Sequence, residues 1–205
     1  MINYMPTKKF SKAIFMDRDG TISEEVGYVN HVDRFQLLPK TIEAIRLINQ
    51  SDFKAIVVTN QAGVARGYFP EDLVQKVHTK MYRLLEDGGA HLDKVYYCPH
   101  HPHVGIDKYR IDCNCRKPKP GMLEKAAEEF LINFSESYII GDKYTEISLG
   151  YKIGATSILV LTGYGRGELE LYSSKWEKKP HFVAEDLLTA INWILEQEAQ
   201  RSKSG

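Results

Sequence analysis

Asp17 and Asp19 stand two residues apart in Asp17-Arg18-Asp19-Gly20-Thr21, directly after the apolar run Ala13-Ile14-Phe15-Met16. On an extended segment both carboxylates share one face. Such a pair can provide a nucleophile and a proton carrier, or hold a cation. A turn rich in Asp and Gly would explain the string by itself, but the apolar run before it and the matching pieces further on argue for a site. A second apolar run ends in Thr59-Asn60-Gln61-Ala62-Gly63, which offers a hydroxyl, two amides and backbone N–H groups suited to phosphate oxygens. A third carboxylate, Asp142, lies in Gly141-Asp142-Lys143, with Glu146 one helical turn beyond, and Arg116-Lys117-Pro118 adds two cations. The ordinary fate of such an Arg–Lys pair is a solvated surface.

Three carboxylates, Asp17, Asp19 and Asp142, meeting in one pocket repel each other and any phosphate dianion. Two unit charges ~4 Å apart interact by ~4 kcal/mol at an effective dielectric near 20. A dication removes that conflict, and a ligand set made only of oxygens points to Mg²⁺.

The cysteines define a different metal chemistry. Cys98 and His100 form C-x-H, and Cys113 and Cys115 form C-x-C after a loop; four such ligands close a tetrahedral structural Zn²⁺ site. His101 and His103 compete for the nitrogen position. Residues i and i+2 of an extended segment point the same way, which pairs Cys98 with His100 and turns His101 aside, while His103 stays in contention. Buried reduced thiols are the plain alternative, but this polar loop has little core to hide them. Four protein ligands leave no open position, so the zinc would be structural and would fix the loop that aims Arg116 and Lys117.

The elements that must position these groups follow from the hydrophobic pattern. Short apolar runs at 13–16, 55–58, 95–97, 138–140, 157–161 and 181–183 read as strands buried on both faces. Between them, helices are expected over 39–49, 70–86, 121–130 and 184–198, with a shorter one near 144–152. Strand and helix in alternation give a parallel sheet with right-handed crossovers, whose ligands bind at the carboxyl ends of its strands. The segment 98–120 is too polar and too rich in proline for either element and long for a connection, hence functional. No repeat or linker divides the chain, so one domain over 1–205 is expected, with the zinc loop 98–120 inserted in it. The tail 200–205 reads as frayed. His31, His78, His91 and His181 read as surface or satisfied core histidines, and the aromatic residues as packing.

With 205 residues, 43% hydrophobic and 26% charged, the chain falls within the globular range. Lys plus Arg equals Asp plus Glu at 27 each, so no excess positive field invites nucleic acid. No apolar run approaches the ~20 residues of a membrane helix, and the opening MINYMPTKKFSK holds no signal-type apolar stretch. Three cysteines without a secretory signal argue against a disulfide framework. A cytoplasmic monomer acting on a small molecule, without nucleic-acid or membrane partners, is expected.

Taken together, DRDGT, VVTN, a downstream Lys and IIGD resemble the haloacid dehalogenase superfamily of aspartyl phosphotransferases over nearly the whole chain. Within it, MDRDGTI, EEVGYV, VVTNQAGVARGYF, CPHHP, CNCRKPKPGM and IIGDK look most like the D-glycero-D-manno-heptose 1,7-bisphosphate phosphatases. The resemblance implies a three-layer α/β/α Rossmann-like fold without a large cap domain. It also implies a Mg²⁺-dependent phosphatase that removes the C7 phosphate of the heptose bisphosphate for nucleotide-activated heptose synthesis.

By the same resemblance Asp17 is the nucleophile, and Asp19 is the acid that protonates the leaving alkoxide and then the base that activates water. Neighbouring negative charge should raise the pKa of Asp19. Thr59 would hydrogen-bond the phosphoryl group, Lys117 would hold its charge, and Asp17, Asp142 and the backbone carbonyl of Asp19 would hold Mg²⁺. Glu25, Val26, Gly27, Tyr28, Asn60, Gln61, Ala62, Arg66, Arg116 and Lys143 would contact the sugar or its second phosphate. Glu146 stands where the superfamily often carries an Asp, which puts an outer-shell metal role for it in question. The rival readings are a histidinol-phosphate phosphatase, disfavoured by the long interval between Cys98 and Cys113, and a zinc-stabilised interaction module without catalysis, disfavoured by the complete catalytic set.

Overall fold

The computed structural model describes residues 10–204; the reading of the opening residues concerns 1–9 in large part and lies outside them. Six strands form one fully parallel sheet in the order β3-β2-β1-β4-β5-β6. They are β1 (Lys12–Met16), β2 (Phe53–Asn60), β3 (Lys94–Cys98), β4 (Tyr138–Gly141), β5 (Thr156–Val160) and β6 (Phe182–Ala184). The helices are α1 (Thr41–Asn49), α2 (Glu71–Asp87), α3 (Gly121–Phe130), α4 (Tyr144–Ile153), the single turn α5 (Gly165–Gly167) and α6 (Leu187–Ser204).

Strand alternation builds the expected three layers. Ile14 and Met16 of β1 point to one face, where they join Ile45 and Ile48 of α1, Met81 and Leu85 of α2, and Ile191 and Ile194 of α6. Ala13 and Phe15 point to the other and join Leu123 and Ala126 of α3 and Leu149 of α4. Burial on both faces explains why the strands read as continuous apolar runs.

Several boundaries differ from the sequence reading. β2 runs on to Asn60, because Val58, Thr59 and Asn60 pair with Tyr96, Tyr97 and Cys98 of β3 beyond the end of β1. Thr59 and Asn60 are therefore strand residues and not part of the turn that follows. Ala184 closes β6, and the last helix starts only at Leu187, where Asp186 Oδ1 accepts from the Thr189 amide at 2.8 Å in the manner of an N-cap. That helix continues to Ser204, with Arg201 paired to Glu198 at 2.9 Å. The expectation of a frayed tail is thus corrected up to Ser204, and Gly205 lies outside the described residues. No helix among the described residues is long and apolar enough to cross a membrane.

The strand order reverses between β1 and β4. Asp17 follows β1, its amide bonded to the Ile140 carbonyl at 2.9 Å, and Asp142 follows β4. Both carboxylates therefore stand at the switch point of a doubly wound sheet, where ligands bind.

Candidate active site and candidate zinc centre

Asp17, Asp142 and Glu146 each place a carboxylate oxygen within 4.8 Å of the others, and all three are buried. The trio differs from the one expected: Glu146 takes the third place, and the side chain of Asp19 lies outside the cluster. Lys117 enters as the counter-charge, 2.9 Å from Asp17 Oδ1 and 2.8 Å from Glu146 Oε1, and its Nζ donates to the Val58 carbonyl at 2.7 Å. Burial opposes the charge on Lys117, but Asp17 and Glu146 outweigh it and hold the ammonium above its ordinary pKa. Glu146 is thus an ion-pair partner of Lys117 as well as a member of the acid cluster. Gly141 makes room for it: a Cβ there would stand 2.2 Å from Glu146 Cγ.

Asp142 is fully buried, and burial together with the charge of Asp17 pushes its pKa up to about 8. Its Oδ2 accepts from the Tyr164 amide at 2.9 Å, whereas Oδ1 has no hydrogen-bond partner. Gly20, in the left-handed region at φ +84°, brings bare backbone against this carboxylate, and a Cβ there would meet Asp142 Oδ2 at 2.1 Å. Thr21 Oγ1, Asp142 Oδ1 and Glu146 Oε2 are the orphaned buried side-chain atoms among the described residues. A buried, crowded acid cluster with unsatisfied oxygens fits a hard divalent cation such as Mg²⁺, which takes oxygen ligands.

Asp19 turns away from this cluster. Arg18 holds it in a bidentate pair, Nε to Oδ1 at 3.0 Å and Nη2 to Oδ2 at 2.8 Å, and Gln61 Nε2 donates to Oδ2 at 2.9 Å. Burial works against the charge, but Arg18 and Gln61 together outweigh it and hold the carboxyl below its ordinary value. The expected upward shift is corrected: the sequence reading counted the neighbouring carboxylates and left out the adjacent arginine.

Thr59 is buried, and its Oγ1 accepts the second hydrogen of Gln61 Nε2 at 3.0 Å. Asn60, expected at the substrate, clamps the Lys117 backbone: its Nδ2 donates to the Lys117 carbonyl and its Oδ1 accepts from the Lys117 amide, both at 3.1 Å. Lys143 lies 3.2 Å from Glu25 Oε2 and over the Tyr164 ring at 4.4 Å. Burial opposes its charge, but Asp142, Asp17 and Glu25 raise its pKa above the ordinary lysine value. Glu25 Oε1 also accepts from the Gly27 amide at 2.6 Å, which shapes the 25–28 loop. Val26 packs partly buried on the core, and Tyr28 stands edge-on to Tyr68 with centroids 4.8 Å apart. Ala62 is half-buried, with its carbonyl bonded to the Arg66 amide. A cavity of about 450 Å³ lined by Glu24, Glu25, Leu38, Gly163 and Tyr164 opens here.

Arg116 donates to the His100 carbonyl at 3.3 Å, and Arg66 is exposed. Burial, then the charges of Arg116 and Arg66, lower the pKa of His101, so both cations share its neighbourhood. A second cavity of about 410 Å³, between the start of α2 and the 98–120 loop, is lined by neither the acid cluster nor Lys117. Glu71 on its wall is already occupied by the hydroxyls of Tyr97 and Tyr109, at 2.8 and 2.7 Å.

Cys98, His100, Cys113 and Cys115 converge as the spacing predicts. The sulfurs lie 3.0, 3.1 and 3.4 Å apart, and His100 Nδ1 is 3.4 Å from Cys115 and 3.8 Å from Cys98. Zn–S bonds of about 2.3 Å in a tetrahedron need sulfurs about 3.8 Å apart, so a modest spreading seats a zinc ion. The contact between Cys98 and Cys115 pushes the Cys115 thiol down and the Cys98 thiol up, so Cys115 is the thiolate of the pair. His101 is turned aside, its Nδ1 accepting from the amides of His103 and Val104 at 3.1 and 3.2 Å. Neither it nor His103 is in the cluster.

The sequence reading gave Arg18 no role, and it placed His78 among surface or satisfied core histidines, the second of which holds. His78 is 5% exposed on α2, with Nε2 3.2 Å from Arg18 Nη1. Its place four residues after Val74 and three before Met81, both buried, could have marked it as facing inward.

A doubly wound parallel sheet with an aspartate after β1, a lysine–acid pair beside it and a metal-ready aspartate after β4 defines a hydrolase of the haloacid dehalogenase (HAD) class. A HAD-hydrolase-like family model matches residues 114–190. The D-glycero-beta-D-manno-heptose-1,7-bisphosphate 7-phosphatase of Pasteurella multocida is 41% identical over 94% of this chain and 95% of its own length. The Escherichia coli K12 protein of the same name is 42% identical over 74% of this chain and 80% of its own. Among solved structures, D,D-heptose 1,7-bisphosphate phosphatase from B. bronchiseptica, complexed with magnesium and phosphate, superposes with a TM-score of 0.80 at 30% identity, covering 91% of this chain and 99% of that one. The chain belongs to the heptose-1,7-bisphosphate 7-phosphatase family, within the HAD-like hydrolases, and is an enzyme of the phosphatase class.

Proposed function

We propose that the protein is a Mg²⁺-dependent phosphatase that removes the C7 phosphate of D-glycero-D-manno-heptose 1,7-bisphosphate in the synthesis of nucleotide-activated heptose, acting as a cytoplasmic monomer. The observation that carries this reading is Asp17, paired with Lys117 beside Asp142 at the β1–β4 switch, in a chain 41% identical to a named heptose bisphosphatase over nearly its full length. Asp17 attacks phosphorus as the bond to the C7 oxygen breaks, and Asp19 gives that oxygen its proton. Asp19 acquires the proton when the incoming phosphate sets a new negative charge beside it, which raises its affinity for protons. Water then attacks the aspartyl-phosphate, Asp19 takes back a proton, and the bond between phosphorus and the Asp17 oxygen breaks, freeing phosphate. Thr59 and Lys117 hold the phosphoryl oxygens as charge develops on them. Mg²⁺, held by Asp17, Asp142 and the Asp19 carbonyl, would neutralise the phosphate and polarise it toward attack. Zn²⁺ on Cys98, His100, Cys113 and Cys115 would brace the loop that aims Lys117 and Arg116.

Arg116, bonded to the His100 carbonyl, and the exposed Arg66 both lie near His101 and are outside the Lys117–Asp17–Glu146 ion pairs, which suits them to the retained C1 phosphate. Lys143 and Glu25, beside the cavity of about 450 Å³, suit the sugar hydroxyls. Phosphorus NMR of the product tests the reading. Loss of the C7 signal with the C1 signal retained is expected; loss of the C1 phosphate, or turnover of histidinol phosphate in preference, would overturn it.

A further inference from the structure

Behind Asp19 runs a buried row of side chains. Arg18 is 1% exposed and commits three of its donors: Nε and Nη2 to the two oxygens of Asp19, and Nη1 to His78 Nε2 at 3.2 Å. Arginine has only donors, so His78 must present the lone pair of Nε2. Burial, then the charge of Arg18, pushes the imidazole pKa down to about 3, so His78 stays a neutral acceptor in use. Its ring is fixed in turn by Tyr97, edge-on at 5.6 Å between centroids.

The lone pairs of Asp19 are nearly all assigned. Oδ2 accepts from Arg18 and from Gln61, and Oδ1 accepts from Arg18 Nε. Ser23 has one hydroxyl proton, 3.2 Å from the Arg18 carbonyl and 3.4 Å from Asp19 Oδ1. Given to the shorter contact, it leaves the second lone pair of Oδ1 uncommitted. We infer that Arg18, anchored by His78, is a positioning unit that fixes the plane of the Asp19 carboxyl and makes Oδ1 the atom that carries the proton to the leaving oxygen. The inference rests on Asp19 being the acid–base group of the reaction, and it adds two buried residues, one following β1 and one on α2, that lie outside both candidate metal clusters.

Leaving-group dependence tests it, since a phenolate stabilised by a nitro group departs without a proton and an alkoxide does not. kcat/KM is measured with saturating Mg²⁺ on 4-nitrophenyl phosphate, phenyl phosphate and an aliphatic sugar phosphate, with zinc content checked in each protein. His78→Gln sets an amide oxygen where Nε2 stands, and should stay within about threefold of wild type on all three substrates. His78→Leu fills the space without an acceptor. It should lose about 10- to 100-fold on the sugar phosphate and less than about threefold on 4-nitrophenyl phosphate, within the range a misaimed general acid costs. Should the leucine variant not fold, His78→Asn, which withdraws the acceptor by one bond, carries the same expectation. Equal losses on every substrate, no loss, or a glutamine variant as poor as leucine would overturn the inference. Asp19→Asn separates the two claims. It must itself be far worse on the sugar phosphate than on 4-nitrophenyl phosphate, and if it is not, the acid role of Asp19 falls and the inference with it.

Discussion

Replacing His78 by glutamine should flatten the acid side of the stability curve. In the folded chain the imidazole refuses a proton until about pH 3, whereas the unfolded chain takes one near 6.5. Between those values the unfolded state binds more protons, so stability present above pH 6.5 is lost as the pH falls. At pH 5 the imidazole alone accounts for a loss of about 2 kcal/mol, and the full window, at 1.36 kcal/mol per unit, for about 5 kcal/mol. A glutamine at this position does not titrate, and its amide oxygen can still accept from Arg18. Urea unfolding of both proteins at pH 8, 7, 6 and 5 gives the two curves, and subtraction removes every other titrating group they share. The wild type should fall by about 2 kcal/mol more than His78→Gln between pH 8 and pH 5. Parallel curves would refute the reasoning, since they would mean that His78 takes its proton as readily when folded as when unfolded.

Asp17→Asn should abolish turnover while leaving thermal unfolding nearly unchanged, because the amide is close to isosteric but cannot attack phosphorus; a phosphate burst or substantial residual turnover would rule out the covalent route. Cys113→Ser should lose both its zinc and its activity, and His100→Ala should lose more zinc than His101→Ala, whose ring already bonds the amides of His103 and Val104; metal analysis of protein purified without chelator decides this. Gly141→Ala drives a methyl to 2.2 Å from Glu146 Cγ, so it should cost about 1–3 kcal/mol in stability and at least tenfold in turnover as Glu146 leaves Lys117. Unchanged unfolding and kinetics would show that the strand and helix yield without disturbing that pair.

The groups legible in the sequence were those whose role follows from strand ends and i, i+2 spacing. Asp17 and Asp142 lie where apolar runs stop, and Cys98 with His100 obeys the alternation of an extended segment. Pairings made across the fold were not legible. Whether Lys117 would meet Glu146 depends on how closely α4 approaches β4, and the sequence shows Gly141 without showing what fills the space above it. The direction of the Asp19 shift was misread for a similar reason: residue types predict repulsion among acids, but the side chain of Arg18 could as well have faced the other way. The resemblance implies a substrate role for Asn60, whereas its grip on the Lys117 backbone follows from the pairing of β2 with β3 beyond the end of β1, which no local pattern shows. The helix through 200–204 lacks a strong apolar stripe, and the Glu198–Arg201 contact that supports it is a local event with a weak signal.

The two ends of the 98–115 segment are tied twice, at the thiols and through Asn60, which pairs with Cys98 across the sheet and grips the backbone of Lys117 with its side chain. The stretch 101–112 between these ties has anchors of its own: the Ile106 amide bonds the Ala65 carbonyl at 3.0 Å and the Tyr109 hydroxyl bonds Glu71 at 2.7 Å. Doubling a flexible loop costs only about 0.6 kcal/mol in closure entropy, so a change of length here is governed by those contacts and not by loop closure. For a protein engineer this makes 101–112 a unit to be redesigned whole: its ends are held by the thiol cluster and Asn60, and its middle needs replacements for the anchors at Ile106 and Tyr109.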